Sequence, residues 1–306
     1  VHSMATAAAG TRPRTVRIRI LRMRFGDRLT AMAMHASARW TVRYGETLRF
    51  AGNDLPSPEI VRLPTRHGRV RVYVYRPPNP CGVYVHFHGG AWLMRYPAMD
   101  DWWCRYVAAT AGVTVYNVDF RCGPYVAFPV AQHQCFDAAS RVATGARVAV
   151  GGFSSGGGLA AAVCLQARDE GSWRPALQVL GVPALDLASD PDPAAGGMIS
   201  PGLRDLVRRV YFPDPSTRGH PYASPLLAPE LTGLPRAIVL TGEHDALRGD
   251  GDRYAARLRE ARVDVVYDRT PGVDHYFLTD DPVRARTTMA WVAEEIRRAV
   301  SGAASE

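Results

Sequence analysis

The sequence predicts an α/β protein built on a mostly parallel sheet with helices on both faces, and three observations carry that expectation. From about residue 82 onward, short apolar runs rich in Val and Ile alternate with helical stretches. Hydrophobic residues make up 47% of the 306, enough for one large core. A glycine-crowded corner, Gly152-Phe-Ser-Ser-Gly156, joins a strand-like run to an alanine-rich helical run in the middle of the alternation.

Residues 1–55 hold an Ala-rich start (Met4 to Gly10), the arginine-rich alternation Val16-Arg-Ile-Arg-Ile20 and a helical stretch over about 28–40. Met23, Met32, Met34 and Trp40 in this part suit either plain helix packing or an apolar flap over a site. Ile60-Val-Arg-Leu-Pro and Val70-Arg-Val-Tyr-Val-Tyr75 alternate around Arg66-His-Gly68, the pattern of an antiparallel hairpin with one solvated face. A buried strand, Gly82-Val-Tyr-Val-His-Phe87, runs into His88-Gly-Gly-Ala-Trp92. Next come a Trp-rich helix over about 100–111, a strand at Val113 to Val118, the loop Asp119-Phe-Arg-Cys-Gly-Pro124 and a helix after Pro129. Beyond the glycine corner lie a strand at Leu177 to Leu180 and an irregular Pro/Gly/Asp-rich stretch from Ser189 to about Pro221. A strand at Ala237 to Thr241, a helix over 252–261, a strand at Val263 to Tyr267 and a helix over 281–300 complete the eight strand runs. Sites in such folds sit at the C-terminal ends of the parallel strands.

Composition removes several classes of chemistry. All 37 basic residues are Arg, which rules out a P-loop lysine, a lysine Schiff base and Ser-x-x-Lys catalysis. The formal charge of +8 owes much to six arginines between Arg12 and Arg24. With no aromatic motif interleaved they read as a solvated tail or an edge strand, and no nucleic-acid partner is expected. Five cysteines (Cys81, Cys104, Cys122, Cys135, Cys164) are irregularly spaced and never Cys-x-x-Cys, so they read as reduced thiols rather than a disulfide or zinc framework. His86 and His88 lack a suitably spaced third ligand, and neither a metal nor a cofactor is expected. No run approaches the roughly 18 apolar residues of a membrane span. The expectation is a cytoplasmic protein without stable membrane insertion.

Ser154 stands at the centre of a Gly-x-Ser-x-Gly. A serine on so tight a strand-to-helix turn is lifted clear of the sheet, and its neighbours must lack side chains because other elements approach closely. The following helix would aim its first amides, beginning with Ser155, at an oxyanion forming there. A serine hydroxyl needs a base, and the base needs an orienting carboxylate. Just past one strand lies Gly242-Glu-His-Asp-Ala246, and past the next Thr270-Pro-Gly-Val-Asp-His275. Asp245 and His275 fit those places, with Glu243 and Asp274 as rival acids.

The order Ser, Asp, His, together with His88-Gly-Gly-Ala-Trp92, Gly152-Phe-Ser-Ser-Gly156, Asp245-Ala-Leu and His275-Tyr-Phe, resembles the hormone-sensitive-lipase-like family of bacterial carboxylesterases and lipases in the α/β-hydrolase fold. The likeness spans about residues 58–300. It implies Ser154 as nucleophile, His275 as base, Asp245 as orienter, and an oxyanion hole from the amides of Gly89, Gly90 and Ser155. It also implies a core of about 56–188 and 221–306 under a cap made from residues 1–55 and 189–220, where substrate choice would lie. Trp92 and Phe153 flank the site as substrate-binding candidates. Phe153, Ser155, Ala91 and Ala246 depart from that family's usual residues, as does Tyr125-Val126, yet none of these removes a catalytic group.

The expected activity is hydrolysis of short- to medium-chain esters of small molecules through an acyl-enzyme. Two other readings stay open from sequence: the same triad used for acyl transfer, amide or thioester cleavage or a biosynthetic lyase or cyclase step, and a non-catalytic binding protein on the same scaffold. The resemblance also allows a homodimer through edge strands or the last helix.

Overall fold

The computed structural model describes residues 23–193 and 196–301. The Ala-rich start and the alternation from Val16 to Ile20 lie outside the described residues. In chain order the elements are α1 (Phe25–Thr41), β1 (Glu59–Thr65), β2 (Gly68–Tyr75), β3 (Val83–Phe87), α2 (Asp101–Ala111), β4 (Thr114–Asp119), α3 (Val130–Val142), β5 (Val148–Phe153), α4 (Ser155–Glu170) and β6 (Leu177–Gly181). There follow α5 (Pro201–Val210), α6 (Pro215–Arg218), β7 (Ala237–Gly242), α7 (Arg248–Glu260), β8 (Val265–Thr270) and α8 (Pro282–Ser301).

Eight strands form one sheet in the order β1-β2-β4-β3-β5-β6-β7-β8. β2 is antiparallel to both β1 and β4, and every pair from β4 across to β8 is parallel. The hairpin comes from clean alternation: Val70, Val72 and Val74 are buried while Arg69 and Arg71 are exposed. β5 and β6 are buried throughout, as strands covered on both faces must be. One core packs residues of α3, α4 and α7, such as Phe136, Leu165 and Leu258, against the sheet. The other sets Trp102 and Trp103 of α2 against Val292 and Ile296 of α8 on the opposite face. Fully burying each such side chain contributes about 1.5–3 kcal/mol. This two-sided packing fixes the C-terminal ends of β3, β5, β7 and β8, from which the site is built.

The stretch after Ser189 is less irregular than its composition suggests. α5 forms there because Ser200 accepts a hydrogen bond from the Leu203 amide at 3.2 Å and Pro201 takes the first helical position. Its Leu206, Val207 and Val210 are buried at helical spacing. α7 begins four residues earlier than expected, and β8 starts two residues later and runs through Asp268 and Arg269, polar residues that a half-exposed edge strand tolerates. α1 buries only Ala31 and Ala38, and Met32 and Trp40 are exposed, so those two form no flap. It is tied to α5 by Arg209, which donates to both carboxylate oxygens of Asp27 at 2.8 and 3.0 Å. All five cysteines are free. No described helix is long and apolar enough to cross a membrane.

Candidate active site

Ser154 occupies the single residue between β5 and α4 with φ 56° and ψ −119°. A non-glycine residue held at positive φ costs on the order of 1–3 kcal/mol, and the surrounding contacts must over-determine it. They do so here. The Ser154 amide donates to the Gly181 carbonyl at 2.8 Å, and its own carbonyl accepts from Gly158 at 3.1 Å and Ala184 at 3.2 Å. The turn closes only because β3 lies against it: a Cβ on Gly152 would fall 2.3 Å from the Phe87 oxygen, and one on Gly156 only 1.9 Å from it.

His275 follows β8 and Asp245 follows β7. The His275 Nδ1 donates to Asp245 Oδ2 at 2.9 Å, with both side chains buried. The second oxygen of Asp245 accepts the Leu247 amide at 2.9 Å, which fixes the carboxylate in turn. With the proton held on Nδ1, Nε2 is left as the acceptor that a serine proton needs. The rival acids are engaged elsewhere. Glu243 accepts the Gly272 amide, and Asp274 accepts the amides of His275 and Met198. Ser154 Oγ and His275 Nε2 are not hydrogen-bonded to each other; both residues line one cavity, and such contacts commonly tighten only around substrate.

The loop after β3 differs from the expectation at one residue. The Gly89 amide donates to Asp100 Oδ2 at 3.1 Å, so it is taken up inside the protein rather than offered to an oxyanion. The amides of Gly90, Ala91 and Ser155 have no hydrogen-bond acceptor among the described residues, and Gly90 and Ala91 line the same cavity as Ser154. Gly90, Ala91 and Trp92 all have positive φ, 105°, 56° and 53°, which bends the loop sharply back toward the serine. The three amides available are therefore those of Gly90, Ala91 and Ser155.

Ser154 stands between two hollows. The larger, about 210 Å³, is lined by Gly90, Phe153, His275, Tyr44 and Tyr276 and by Met198 and Leu203 from the stretch around α5. The smaller, about 40 Å³, is bounded by Trp92, Ala184, Leu187, Leu203 and Val207. Trp92 and Phe153 thus face different hollows. Phe153 packs between Trp102 and Trp103 and edge-on to His86, so its bulk serves the core as well as the cavity wall.

His86 and His88 are not gathered for a metal. His88 stacks on Phe120 with centroids 4.3 Å apart and donates from Nδ1 to the Gly89 carbonyl at 2.7 Å; burial pushes its pKa down. His86 bonds Asp100 at 2.9 Å and Tyr84 at 3.2 Å. Burial, followed by the nearby Asp100 charge, raises the pKa of both Tyr44 and Tyr276, which keeps their phenols neutral. Asp100, Tyr44 and Tyr276 have no site role in the sequence reading. The signal available was Tyr84-Val-His-Phe-His88, polar residues on alternate positions of an otherwise buried strand, which must find partners inside.

A sequence profile of a family described as alpha/beta hydrolase fold matches residues 84–279. An arylesterase of Saccharolobus solfataricus is 36% identical over 222 residues, covering 68% of this chain and 72% of that one. The carboxylesterase NlhH of Mycobacterium tuberculosis is 31% identical over 227 residues, 68% of this chain and 71% of its own. Among solved structures, an esterase of Pyrobaculum calidifontis superposes with a TM-score of 0.78 at 31% identity, covering 89% of this chain and 92% of that one.

Proposed function

The chain belongs to the hormone-sensitive-lipase-like family of α/β-hydrolase serine carboxylesterases, and from that premise we propose that Ser154, His275 and Asp245 carry out its ester hydrolysis. The observation that carries the reading is the buried Asp245–His275 pair opening onto the same cavity as the strained Ser154. His275 Nε2 takes the Ser154 proton as Oγ attacks the ester carbonyl. The resulting oxyanion is held by the Gly90, Ala91 and Ser155 amides and by the N-terminal end of α4. His275 then returns the proton to the leaving alcohol, and a water activated by the same nitrogen releases the acid from the acyl-enzyme.

The smaller hollow, about 40 Å³, suits a short acyl chain, and the larger one the remainder of a small to medium substrate. Residues up to about 55 and 189–220 act as a cap in this reading. In its support, Val42, Tyr44, Met198, Ile199 and Leu203 from those two stretches line the larger cavity, and the Asp27–Arg209 pair joins them. The test is hydrolysis of p-nitrophenyl esters from acetate to laurate by the intact protein and by Ser154→Ala. Turnover on short chains that vanishes in the variant is expected, and turnover retained by the variant would overturn the assignment.

A further inference from the structure

Asp100 is a deeply buried acid that lines the larger cavity with Ser154 and that the proposed reaction leaves unused. It is 1% exposed and immediately precedes α2. Its Oδ2 takes two hydrogen bonds, from His86 Nε2 at 2.9 Å and from the Gly89 amide at 3.1 Å. Its Oδ1 has no hydrogen-bond partner among the described residues.

A buried hydrogen-bond chain stands behind it. Trp103 Nε1 can only donate, and it reaches the Tyr84 hydroxyl at 3.4 Å. The Tyr84 hydroxyl lies 3.2 Å from His86 Nδ1, and the other ring nitrogen of His86, Nε2, faces Asp100. Among the described residues His86 is the only side chain that hydrogen-bonds Asp100. The buried carboxylate of Asp119 fares differently. Asp119 is held by Arg71 at 2.7 Å and Arg95 at 2.7 Å, whereas among the described residues no arginine lies within ion-pair distance of Asp100. A buried carboxylate without a cation is costly, and a ligand that brings one offsets the cost.

The walls suit such a ligand. Tyr44 and Tyr276 stack at 4.3 Å between ring centroids and both line the cavity, offering aromatic faces close to Asp100. Met94 and Met99 add polarisable thioethers. A carboxylate oxygen beside electron-rich rings is the chemistry that recognises an ammonium group. We propose that the larger cavity selects esters carrying a protonated amine or quaternary ammonium group, with Asp100 as the specificity-determining residue. This rests on the serine esterase reading.

Acetylcholine and its uncharged isostere 3,3-dimethylbutyl acetate differ only in the charge on the substrate, so the two should be compared on the intact protein, with p-nitrophenyl acetate as a general reporter. A kcat/KM about tenfold or more higher for the cationic ester is expected. In Asp100→Asn both rates are expected to fall, because Asp100 also anchors Gly89, and their ratio should approach one. Equal rates for the isosteres while p-nitrophenyl acetate is turned over would overturn the cation site and leave the esterase reading standing. If no ester is turned over, calorimetric binding of choline against 3,3-dimethylbutan-1-ol decides the matter on the wild-type protein alone: preference for choline supports the site, and equal or absent binding overturns it.

Discussion

The Oδ2 of Asp245 lies 2.9 Å from Nδ1 of His275, while its other oxygen is held by the Leu247 amide. The carboxylate is thus fixed from behind and dictates which imidazole nitrogen carries the proton. Asp245→Asn keeps the shape and offers an amide N–H as readily as a carbonyl, allowing the tautomer with Nε2 protonated. Its kcat is expected to fall by on the order of 10⁴-fold with little change in thermal stability. Steady-state kinetics beside a melting curve checks this; near-normal kcat would mean that Asp245 does not orient the base.

Ser154→Ala removes the proposed nucleophile and leaves every neighbour in place, so a loss of on the order of 10⁴ to 10⁶-fold in kcat is expected. A fluorophosphonate probe should label the wild-type chain on this residue, as read by mass spectrometry of the labelled peptide, and leave the variant unlabelled. Labelling of Ser155 instead would move the nucleophile by one position.

The glycines of the elbow make a stability prediction. A methyl group on Gly156 would meet the backbone oxygen of Phe87, which no rotamer change can move. Gly156→Ala is therefore expected to cost about 3–5 kcal/mol or to prevent folding. Gly202, inside α5, meets only the Ser200 hydroxyl oxygen at 3.9 Å, so Gly202→Ala should stabilise by about 0.5–1 kcal/mol. Chemical denaturation of the two variants side by side gives the comparison, and equal effects would contradict the packing at the elbow.

Much of this was legible because it is local. A Gly-x-Ser-x-Gly between an apolar run and an alanine-rich run forces the strand-turn-helix at Ser154 whatever surrounds it, and Asp245 and His275 each sit just beyond an identifiable strand. What stayed hidden depends on pairs far apart in sequence. Glycine 89 looks as free as Gly90 until Asp100 is seen to hold its amide. Tyr44 reaches the cavity only because the chain after α1 packs against Trp102 and Tyr276, a contact that no periodicity announces. α5 was masked by the Pro, Gly and Asp around it, although Ser200-Pro201 is a helix start in its own right.

Acid should weaken the fold through a histidine pair remote from the site. His67 and His133 stack, with Nε2 and Nδ1 2.8 Å apart, so one donates, the other accepts, and both cannot be charged together. Burial, with the neighbouring Arg66 next in effect, lowers both, and His133 is pushed down to about 4 from an ordinary 6.5. A group whose pKa is lower folded than unfolded binds more protons in the unfolded chain below that unfolded value. Its contribution is therefore complete above about pH 6.5 and is lost as pH falls toward 4. The melting temperature is expected to decline across that window, and less steeply in His133→Gln, which keeps a hydrogen-bonding group but cannot titrate. Parallel slopes for the two proteins would place the acid sensitivity elsewhere.

Trp92 sets the depth of the smaller hollow. Its ring stacks on Tyr211 at 6.1 Å and meets Phe212 edge-on at 5.2 Å, so it closes the floor of a space of only about 40 Å³ next to Ser154. If the acyl chain lies there, the wild-type protein should prefer acetate and butyrate, and Trp92→Leu should move the optimum toward octanoate by opening that floor. The substitution also removes buried aromatic surface, and a loss of about 2–4 kcal/mol in stability is expected alongside. The decisive quantity is the ratio of kcat/KM for octanoate and butyrate p-nitrophenyl esters, because a general loss of folded protein cancels from it. A rise of about tenfold in that ratio places the acyl chain against Trp92. An unchanged ratio places it in the larger cavity, where Phe153 and the tyrosine pair would set its length.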